Sequence, residues 1–215
     1  FLRFGYVPAP RSIWGNVTKV LPGEWVSVGT DGQMDRRLYW TAIEVAHSGL
    51  GNPFDGDEIA AVDVLEDLLT DAVGRQMVSD VPLGAFLSGG IDSSTVAALM
   101  CRAQRGPVRT FTIGFSEPEY DEAKHAARVA AHLGTEHTEL TVTAADALAV
   151  VPRLADIYDE PFADSSQIPT HLLSILTRKH VTVALSGDGG DELFGGYNRY
   201  LFAARWGRLL ACAPQ

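Results

Sequence analysis

A short segment of this chain combines the residue types that hold phosphate in proteins. Residues 86–94 read FLSGGIDSS, in which an apolar run breaks into two glycines and then into Asp and Ser, where a helix should begin. Because Gly89 and Gly90 have no side chains, backbone N–H groups can close around an anion, and the helix N-terminus adds about half a positive charge. The carboxylate of Asp92 would repel a bare phosphate unless a divalent cation lies between them. The segment therefore implies a nucleotide that binds together with magnesium.

The spacing of these residues excludes two common nucleotide-binding loops. It does not match G-x-x-x-x-G-K-[ST], because no lysine follows the glycines, and it does not match G-x-G-x-x-G. The pattern S-G-G-x-D-S resembles the pyrophosphate loop of the ATP pyrophosphatases. That resemblance implies cleavage of ATP between its α and β phosphates, which leaves AMP on an oxygen of the substrate. Six small polar residues also suit an ordinary strand-to-helix turn, so the remainder of the chain must decide between the two interpretations.

The elements that must position this loop alternate between strand and helix patterns. A strand at 83–87 leads into the loop, and a second apolar run at 181–185 leads into residues 186–191, SGDGGD. Between them the pattern predicts a helix at 92–103, a strand at 108–115, a helix at 121–133, a strand at 136–142, a helix from Thr143 toward Tyr158 and a helix at 166–179. This alternation predicts an α/β fold with a doubly wound parallel sheet.

The second glycine-rich turn is expected to share a ligand with the first. In doubly wound sheets, ligands bind beyond the carboxyl ends of the strands, where the strand order reverses. If the first and last strands of this sheet are neighbours, residues 186–188 face the loop at 88–90 across one crevice. Asp92 and Asp191 then form the natural magnesium pair. A plain loop with solvated carboxylates is the alternative, and three glycines with two aspartates in six residues favour the shared ligand.

The segment that precedes the sheet differs from it in composition and in hydrophobic pattern. Residues 1–40 are rich in Pro, Gly, aromatic and β-branched residues, which predicts a β appendage of short strands and hairpins. Residues 41–57 contain three glycines and a proline with little periodicity and are interpreted as a linker. From Ile59 to Met77, apolar residues recur every three or four positions, which predicts an amphipathic helix capped by Asp55 or Asp57.

Composition and charge restrict the class of partner. The chain has 215 residues, of which 46% are hydrophobic, a formal net charge of −10 and a pI near 4.9. A polyanion would be repelled, so nucleic acid is excluded as a partner, and no apolar run is long enough to span a membrane. Cys101 and Cys212 are too few and too far apart in sequence for a disulfide framework or a zinc site. We expect a cytoplasmic protein that acts on small molecules.

Four sequence blocks together resemble one enzyme family. They are residues 80–94, 110–115, 159–164 and 186–197, which include DVPLGAFLSGGIDSS and SGDGGDELFGGY. On these blocks the chain resembles the synthetase half of the glutamine-dependent asparagine synthetases, and residues 1–40 are similar to the closing segment of that family's glutaminase domain. The resemblance implies a closing glutaminase segment at 1–40, a linker at 41–57, and an ATP pyrophosphatase-type domain at 58–215 that is incomplete at its C-terminus.

The resemblance also implies an activity and a set of site residues. The activity is ATP-dependent amidation of a carboxylate, aspartate becoming asparagine through an acyl-adenylate, with Mg²⁺ as cofactor and ammonia as nitrogen donor. The residues expected to bind ATP are Leu87, Ser88, Gly89, Gly90, Asp92, Ser93, Ile113, Ser186 and Gly187, with Leu87 and Ile113 beside the adenine. Asp92 and Asp191 are the expected metal ligands. Asp188, which stands where some members have Glu, is the expected catalytic acid or base, or an orienting group.

Departures from the family leave alternatives open. The family's glutaminase uses an N-terminal cysteine as nucleophile, whereas position 1 here is Phe and lies within what resembles the end of that domain; a phosphate-stabilising lysine of the family would lie beyond Gln215. We therefore expect this chain alone to be inactive with glutamine and nearly so with ammonia; a homodimer is considered for the full-length protein. Asp159, Glu160 and Asp164 lie on a loop that either approaches the substrate or is solvated. The alternatives are an amidotransferase acting on a sugar acid or natural-product carboxylate, and a non-catalytic ATP-binding fragment.

Overall fold

The computed structural model describes residues 1–104, 106–115 and 122–211 of the chain. The predicted helix start at Asp121 and the second cysteine, Cys212, lie outside the described residues. The chain divides into two compact units, the first formed by Phe1–Leu65 and Leu148–Gln167 and the second by Glu66–Ala147 and Ile168–Gln215. None of the helices within the described ranges is long and apolar enough to cross a membrane.

The secondary structure elements alternate along most of the chain. The strands are β1 (Glu24–Val28), β2 (Met34–Leu38), β3 (Leu83–Phe86), β4 (Arg109–Phe115), β5 (Glu136–Val142) and β6 (Val183–Leu185). The helices are α1 (Ala42–Gly51), α2 (Glu58–Gln76), α3 (Ile91–Ala103), α4 (Ala123–Leu133), α5 (Ala144–Val150), α6 (Leu154–Ile157), α7 (Gln167–Arg178), α8 (Gly190–Phe194) and α9 (Asn198–Ala211).

The second unit is built on a parallel sheet of four strands in the order β5-β4-β3-β6. In its register, Ala85 of β3 lies opposite Thr110 of β4 on one side and Leu185 of β6 on the other. The prediction that the first and last strands of this sheet are neighbours is therefore confirmed. Their carboxyl ends, which lead into the two glycine-rich turns, lie side by side.

The strand order makes the sheet doubly wound. The chain moves outward from β3 to β4 to β5 and then returns past β3 to add β6 on its other side. Right-handed crossovers place α3 and α4 on one face of the sheet and the returning helix α7 on the other. The predicted α/β fold class is confirmed, and the reversal of strand order falls between β3 and β6, where ligands bind in such sheets.

Two clusters of buried residues fix the helices to the sheet. The first cluster is Val73, Ala85, Leu99, Met100, Val108 and Leu185, and the second is Leu87, Ala97, Ala126 and Ala130. Leu87 is 1% exposed and immediately precedes the first turn. The start of that turn is therefore anchored in the core by α3 and α4.

The first unit contains the predicted hairpin and one helix that the sequence pattern did not predict. Strands β1 and β2 pair antiparallel, with Glu24 opposite Leu38. Helix α1 lies inside the segment interpreted as a linker, because Thr41 forms a reciprocal cap with Glu44: the Thr41 hydroxyl accepts from the Glu44 N–H at 3.2 Å and donates to the Glu44 carboxylate at 2.9 Å. The segment interpreted as a linker therefore contains a helix at Ala42–Gly51; the predicted domain limits, with the linker at 41–57, stay predictions.

The predicted cap of α2 is confirmed, whereas another predicted helix is interrupted. Of the two predicted caps of α2, Asp57 accepts from the Ala60 N–H at 2.9 Å. The helix expected from Thr143 toward Tyr158 is interrupted: α5 ends at Val150, a 3₁₀ turn covers Val151–Arg153, and α6 follows. The interruption has a plain cause, because Pro152 cannot donate a backbone hydrogen bond and its ring clashes with the preceding turn of an α-helix.

Candidate functional site

The two glycine-rich turns are in direct contact at the carboxyl ends of β3 and β6. A Cβ atom placed on Gly187 would lie 2.7 Å from the Ser93 backbone nitrogen and 2.9 Å from the Asp92 carbonyl carbon. A Cβ on Gly190 would collide with the Asp92 carboxylate. The second turn thus packs its bare backbone against the first turn of α3, which only residues without side chains allow.

Two serine hydroxyls hold the first turn closed. The Ser88 N–H donates to Ser93 Oγ at 3.1 Å, and the two hydroxyl oxygens are 2.9 Å apart in a hydrogen bond. Ser88 Oγ also accepts from the Gly90 N–H at 3.2 Å. Gly89 has a φ of +82°, and a Cβ there would lie 2.7 Å from the backbone of α4. These contacts fix the backbone of the turn before any ligand is present.

The N-terminus of α3 leaves donors for an anion. Its N-cap, Gly90, forms no side-chain cap hydrogen bond, and the first backbone bond of the helix runs from the Ser94 N–H to the Gly90 carbonyl at 3.1 Å. The three N–H groups before Ser94 therefore have no acceptor within the helix. Such uncapped N–H groups, together with the helix dipole, favour a phosphate or carboxylate at this end.

The second turn presents a carboxylate that is oriented by its own loop. Ser186 Oγ donates to Asp188 Oδ2 at 3.0 Å and accepts from the Asp188 N–H at 3.4 Å. The Asp188 side chain is otherwise exposed. Gly189 has a φ of +93° and is the N-cap of the short helix α8. The structure therefore places Asp188 on the exposed surface of the turn, where it can reach a bound molecule.

The donor set for a metal ion is asymmetric. The Asp92 carboxylate lies against Gly190, where a Cβ would fill its space, whereas Asp191 turns Oδ1 toward the backbone of Gly196. Among the residues that the structure describes, no three His, Cys, Asp or Glu side chains form a group able to hold a metal. Magnesium requires fewer, since it binds through one or two carboxylates with substrate phosphates and water. The Asp92 carboxylate beside bare backbone fits that requirement; the Asp191 ligand stays a prediction.

The residues expected beside the adenine occupy different environments. The Leu87 side chain is buried in the core cluster, and its N–H donates to the Phe111 carbonyl at 2.9 Å. Any contact of Leu87 with a nucleotide must therefore come from its backbone carbonyl. Ile113 is half-buried on β4, the strand next to β3, and its side chain retains exposed surface.

The acidic loop at 159–164 is held by its own unit. Glu160 forms an ion pair with Lys19 at 2.5 Å and accepts from the Ile13 N–H at 3.2 Å. The hydrogen bond from Lys19 lowers the pKa of Glu160. Asp164 accepts from the Ser166 N–H at 2.8 Å, which lowers the pKa of Asp164 as well. These contacts give both carboxylates a structural role within the first unit.

The amino-acid sequence of this chain matches the model of one protein family. The model of the family described as asparagine synthase matches residues 64–213, more than half of the chain. This chain belongs to the asparagine synthase family. The resemblance inferred from the sequence blocks is therefore confirmed, and the matched range contains both glycine-rich turns of this asparagine synthase family member.

Individual relatives of this asparagine synthase family member are longer than the chain. It is 36% identical over 200 residues to "Asparagine synthetase [glutamine-hydrolyzing] 1" of Bacillus subtilis (strain 168), covering 93% of this chain and 30% of that protein. It is 32% identical over 158 residues to "Asparagine synthetase B [glutamine-hydrolyzing]" of Escherichia coli (strain K12), covering 66% of this chain and 28% of that protein. The chain thus spans about a third of the length of these curated relatives.

A solved structure overlaps part of the fold. It is described as "NH3-dependent NAD synthetase from Campylobacter jejuni subsp. jejuni NCTC 11168 in complex with the nitrate ion". The overlap has a TM-score of 0.44 at 18% sequence identity and covers 63% of this chain and 60% of that one.

One polar cluster next to the second turn was missed from the sequence. The Tyr197 hydroxyl donates to Glu192 Oε1 at 2.6 Å, which raises the pKa of Tyr197 to about 12 and lowers that of Glu192. The Arg199 guanidinium lies 4.0 Å from the centre of the Tyr197 ring. The sequence holds the E-x-x-x-x-Y spacing after the turn, but this spacing alone does not predict the contact. Glu192 and Tyr197 come together because Gly195 ends α8 and reverses the direction of the chain.

Proposed function

We propose that this chain is the nucleotide-activating part of an asparagine synthetase, which binds MgATP between its two glycine-rich turns and transfers AMP to the side-chain carboxylate of aspartate. One observation carries the proposal. The turns that follow β3 and β6 contact each other where the strand order of a doubly wound sheet reverses, and both lie in the range that matches the asparagine synthase family. This is the place in such sheets where ligands bind.

The chemistry requires charge control more than an activated nucleophile. A carboxylate is a poor electrophile toward ammonia, so one of its oxygens first attacks the α-phosphorus of ATP. The bond between the α-phosphorus and the bridging oxygen breaks, pyrophosphate leaves, and aspartyl-AMP forms. Ammonia then attacks the acyl carbon, AMP leaves with the original carboxylate oxygen, and a proton is lost. Catalysis therefore depends on aligning and neutralising anions.

The first turn supplies the binding of the phosphates. The N–H groups that precede Ser94 have no helical acceptor, and Ser88 and Ser93 fix the turn so that these donors need little rearrangement. Donors fixed in advance stabilise developing charge more effectively than donors that must reorient. In the proposal, Gly89 and Gly90 admit the phosphates close to the backbone, while Ile113 and the Leu87 backbone flank the adenine.

Asp92 is assigned to hold magnesium, with Asp191 as the second candidate ligand. When bound, magnesium neutralises phosphate charge and makes pyrophosphate a better leaving group. The position of Asp92 supports the assignment, because its carboxylate lies against Gly190 and beside the free N–H groups of α3. A carboxylate placed there without a cation would repel the phosphates that the N–H groups attract.

Asp188 is assigned the proton-transfer or orienting role during the attack by ammonia. Its exposed carboxylate keeps one oxygen free, since Ser186 occupies only Oδ2. An aspartate reaches one methylene less far than glutamate. In this assignment Ser186 and Gly187, which adjoin Asp188, face the nucleotide and set the position of the carboxylate on the turn.

Calorimetry with MgATP tests the proposed binding site. Asp92→Asn should weaken MgATP binding at least about tenfold. Removing a residue that only hydrogen-bonds to a metal ligand already lowers metal affinity by about 10- to 100-fold, and removing the ligand itself should lower it at least as much. Asp67→Asn is the matched control: it removes the same charge from an exposed position on α2 and should leave the affinity unchanged. Equal affinity of Asp92→Asn and the wild type, with unchanged circular dichroism, would refute the role of Asp92.

A further inference from the structure

A groove of about 490 Å³ runs from the first glycine turn along one face of α4. Its lining residues are Gly89, His125, Arg128, Val129 and His132. The four helical positions follow the spacing i, i+3, i+4 and i+7, which places them on a single face of a helix. The groove is therefore a continuous surface of one helix that ends at the phosphate-binding turn.

The groove and the turn share a rigid wall. A Cβ on Gly89 would lie 2.7 Å from the Ala126 backbone nitrogen and 2.7 Å from the His125 carbonyl carbon, so the turn rests directly on the start of α4. Ala126 and Ala130 hold the other face of the helix in the core with Leu87. The backbone of α4 that carries the groove side chains consequently keeps a fixed position relative to the turn.

The charge of the groove is opposite to that of the whole chain. Of the five lining residues that the structure describes, one is arginine, two are histidines and none is aspartate or glutamate, although the net charge of the chain is −10. Arginine presents a planar fork of donors, and a neutral imidazole still offers one N–H. A surface of this kind attracts an anion and provides hydrogen-bond donors to hold it.

Arg128 has no acidic partner within the described part of the chain, whereas some other arginines do. Five arginines form ion pairs with aspartate or glutamate in the described ranges, namely Arg36, Arg37, Arg75, Arg102 and Arg109. Arg128 forms no such pair with any residue that the structure describes. A guanidinium that has no acidic partner among the described residues, in a groove whose described lining holds no carboxylate, is available to a ligand.

We propose that this groove binds a polyphosphate anion, either the pyrophosphate that leaves during adenylation or the terminal phosphates of ATP, with Arg128 as the principal contact and His125 and His132 as additional donors. The inference deepens the proposed function and rests on it for the identity of the anion. The groove begins at Gly89, where the phosphates are proposed to lie, so an anion can pass along α4 without leaving its donors. Arginine suits this role because its fork binds two phosphate oxygens at once.

Binding of inorganic pyrophosphate to the chain tests the inference by calorimetry at fixed ionic strength. Arg128→Gln should weaken pyrophosphate binding about 10- to 100-fold, the usual loss when a charged hydrogen bond to a ligand is removed. His132→Gln should weaken it about fivefold. Arg75→Gln is the matched control, since it removes the same charge from α2, where Arg75 pairs with Asp71. This control should keep the wild-type affinity.

Measuring both pyrophosphate and MgATP binding distinguishes the two possible sources of the anion. It also distinguishes failure of the groove proposal from failure of the proposed function. Loss of pyrophosphate affinity alone in Arg128→Gln identifies the released product, and loss of MgATP affinity as well identifies the terminal phosphates of the nucleotide. Wild-type pyrophosphate affinity in Arg128→Gln, or an equal loss of pyrophosphate affinity in Arg75→Gln, would overturn the proposal that the groove binds this anion. Failure of the proposed function would be seen separately, as absence of MgATP binding by the wild-type chain while pyrophosphate still binds.

Discussion

Replacing Gly187 by alanine perturbs the contact on which the site depends. The new methyl group would lie 2.7 Å from the Ser93 nitrogen, 2.9 Å from the Asp92 carbonyl carbon and 3.0 Å from Asp92 Cβ. Two of these atoms are backbone at the start of α3, so the strain cannot be relieved by rotating a side chain. Overpacking of this kind costs about 1–3 kcal/mol, which lowers Tm by roughly 2–12 °C in a chain of this size. The two turns should also separate, and MgATP affinity should fall.

Gly74→Ala provides the matched control for this experiment. Gly74 lies within α2, and a Cβ there would meet no atom within 4 Å. The same substitution should stabilise the chain by about 0.5–1 kcal/mol, because alanine has the better helix propensity. Thermal and urea unfolding followed by circular dichroism, with calorimetry for MgATP, measure both variants. A Gly187→Ala variant as stable as Gly74→Ala, with wild-type MgATP affinity, would refute the packing of the two turns.

Three other predictions concern hydrogen bonds and titration. Ser93→Ala should lower the unfolding free energy by about 1 kcal/mol, because the Ser88 N–H loses its acceptor. Ser94→Ala should leave the unfolding free energy unchanged, because the buried Ser94 hydroxyl has no hydrogen-bond partner. Urea unfolding in which Ser94→Ala is the more destabilised variant would contradict the turn geometry. Lys19→Met should lower Tm at neutral pH but not well below about pH 4: the lowered pKa of Glu160 stabilises the fold above the unfolded pKa, and this is lost as pH falls through the folded pKa. An equal Tm loss at both pH values would exclude the ion pair. Burial lowers the pKa of His137, so the unfolded chain binds the proton more readily and stability falls with acidification from about pH 6.5; His137→Gln should flatten that profile in pH-dependent unfolding, and an unchanged slope would show that another group titrates.

The sheet and the two turns could be predicted because their signals are local. The run before Ser88 and the run before Ser186 each end in glycines and a carboxylate, and alternating strand and helix patterns connect them. Right-handed crossovers leave few topologies for such a chain, and in the observed order the two turns are adjacent. Helix α1 was predictable in principle, since Thr41 and Glu44 have the spacing of a capping box.

The remaining features depend on tertiary packing that no local pattern shows. Glu160 has the sequence neighbours of a solvated acidic loop, yet it pairs with Lys19 from the other end of its unit. The basic face of α4 becomes the wall of a groove only because Gly89 rests on its first turn. Likewise the orientation of Asp191 toward Gly196 follows from the glycine turn that ends α8, so the metal pair could be proposed from sequence but not its geometry.

The most direct test of the central claim follows one oxygen atom through the reaction. The complete gene product is incubated with MgATP, ammonium and aspartate whose side-chain carboxylate carries ¹⁸O, and the nucleotide products are analysed by mass spectrometry. With both carboxylate oxygens labelled, attack of that carboxylate on the α-phosphorus, as the proposed site requires, predicts AMP that carries one ¹⁸O atom, asparagine that keeps the other ¹⁸O in its side-chain amide, and unlabelled pyrophosphate. Formation of ADP with ¹⁸O in orthophosphate, or of AMP without the label, would contradict the account.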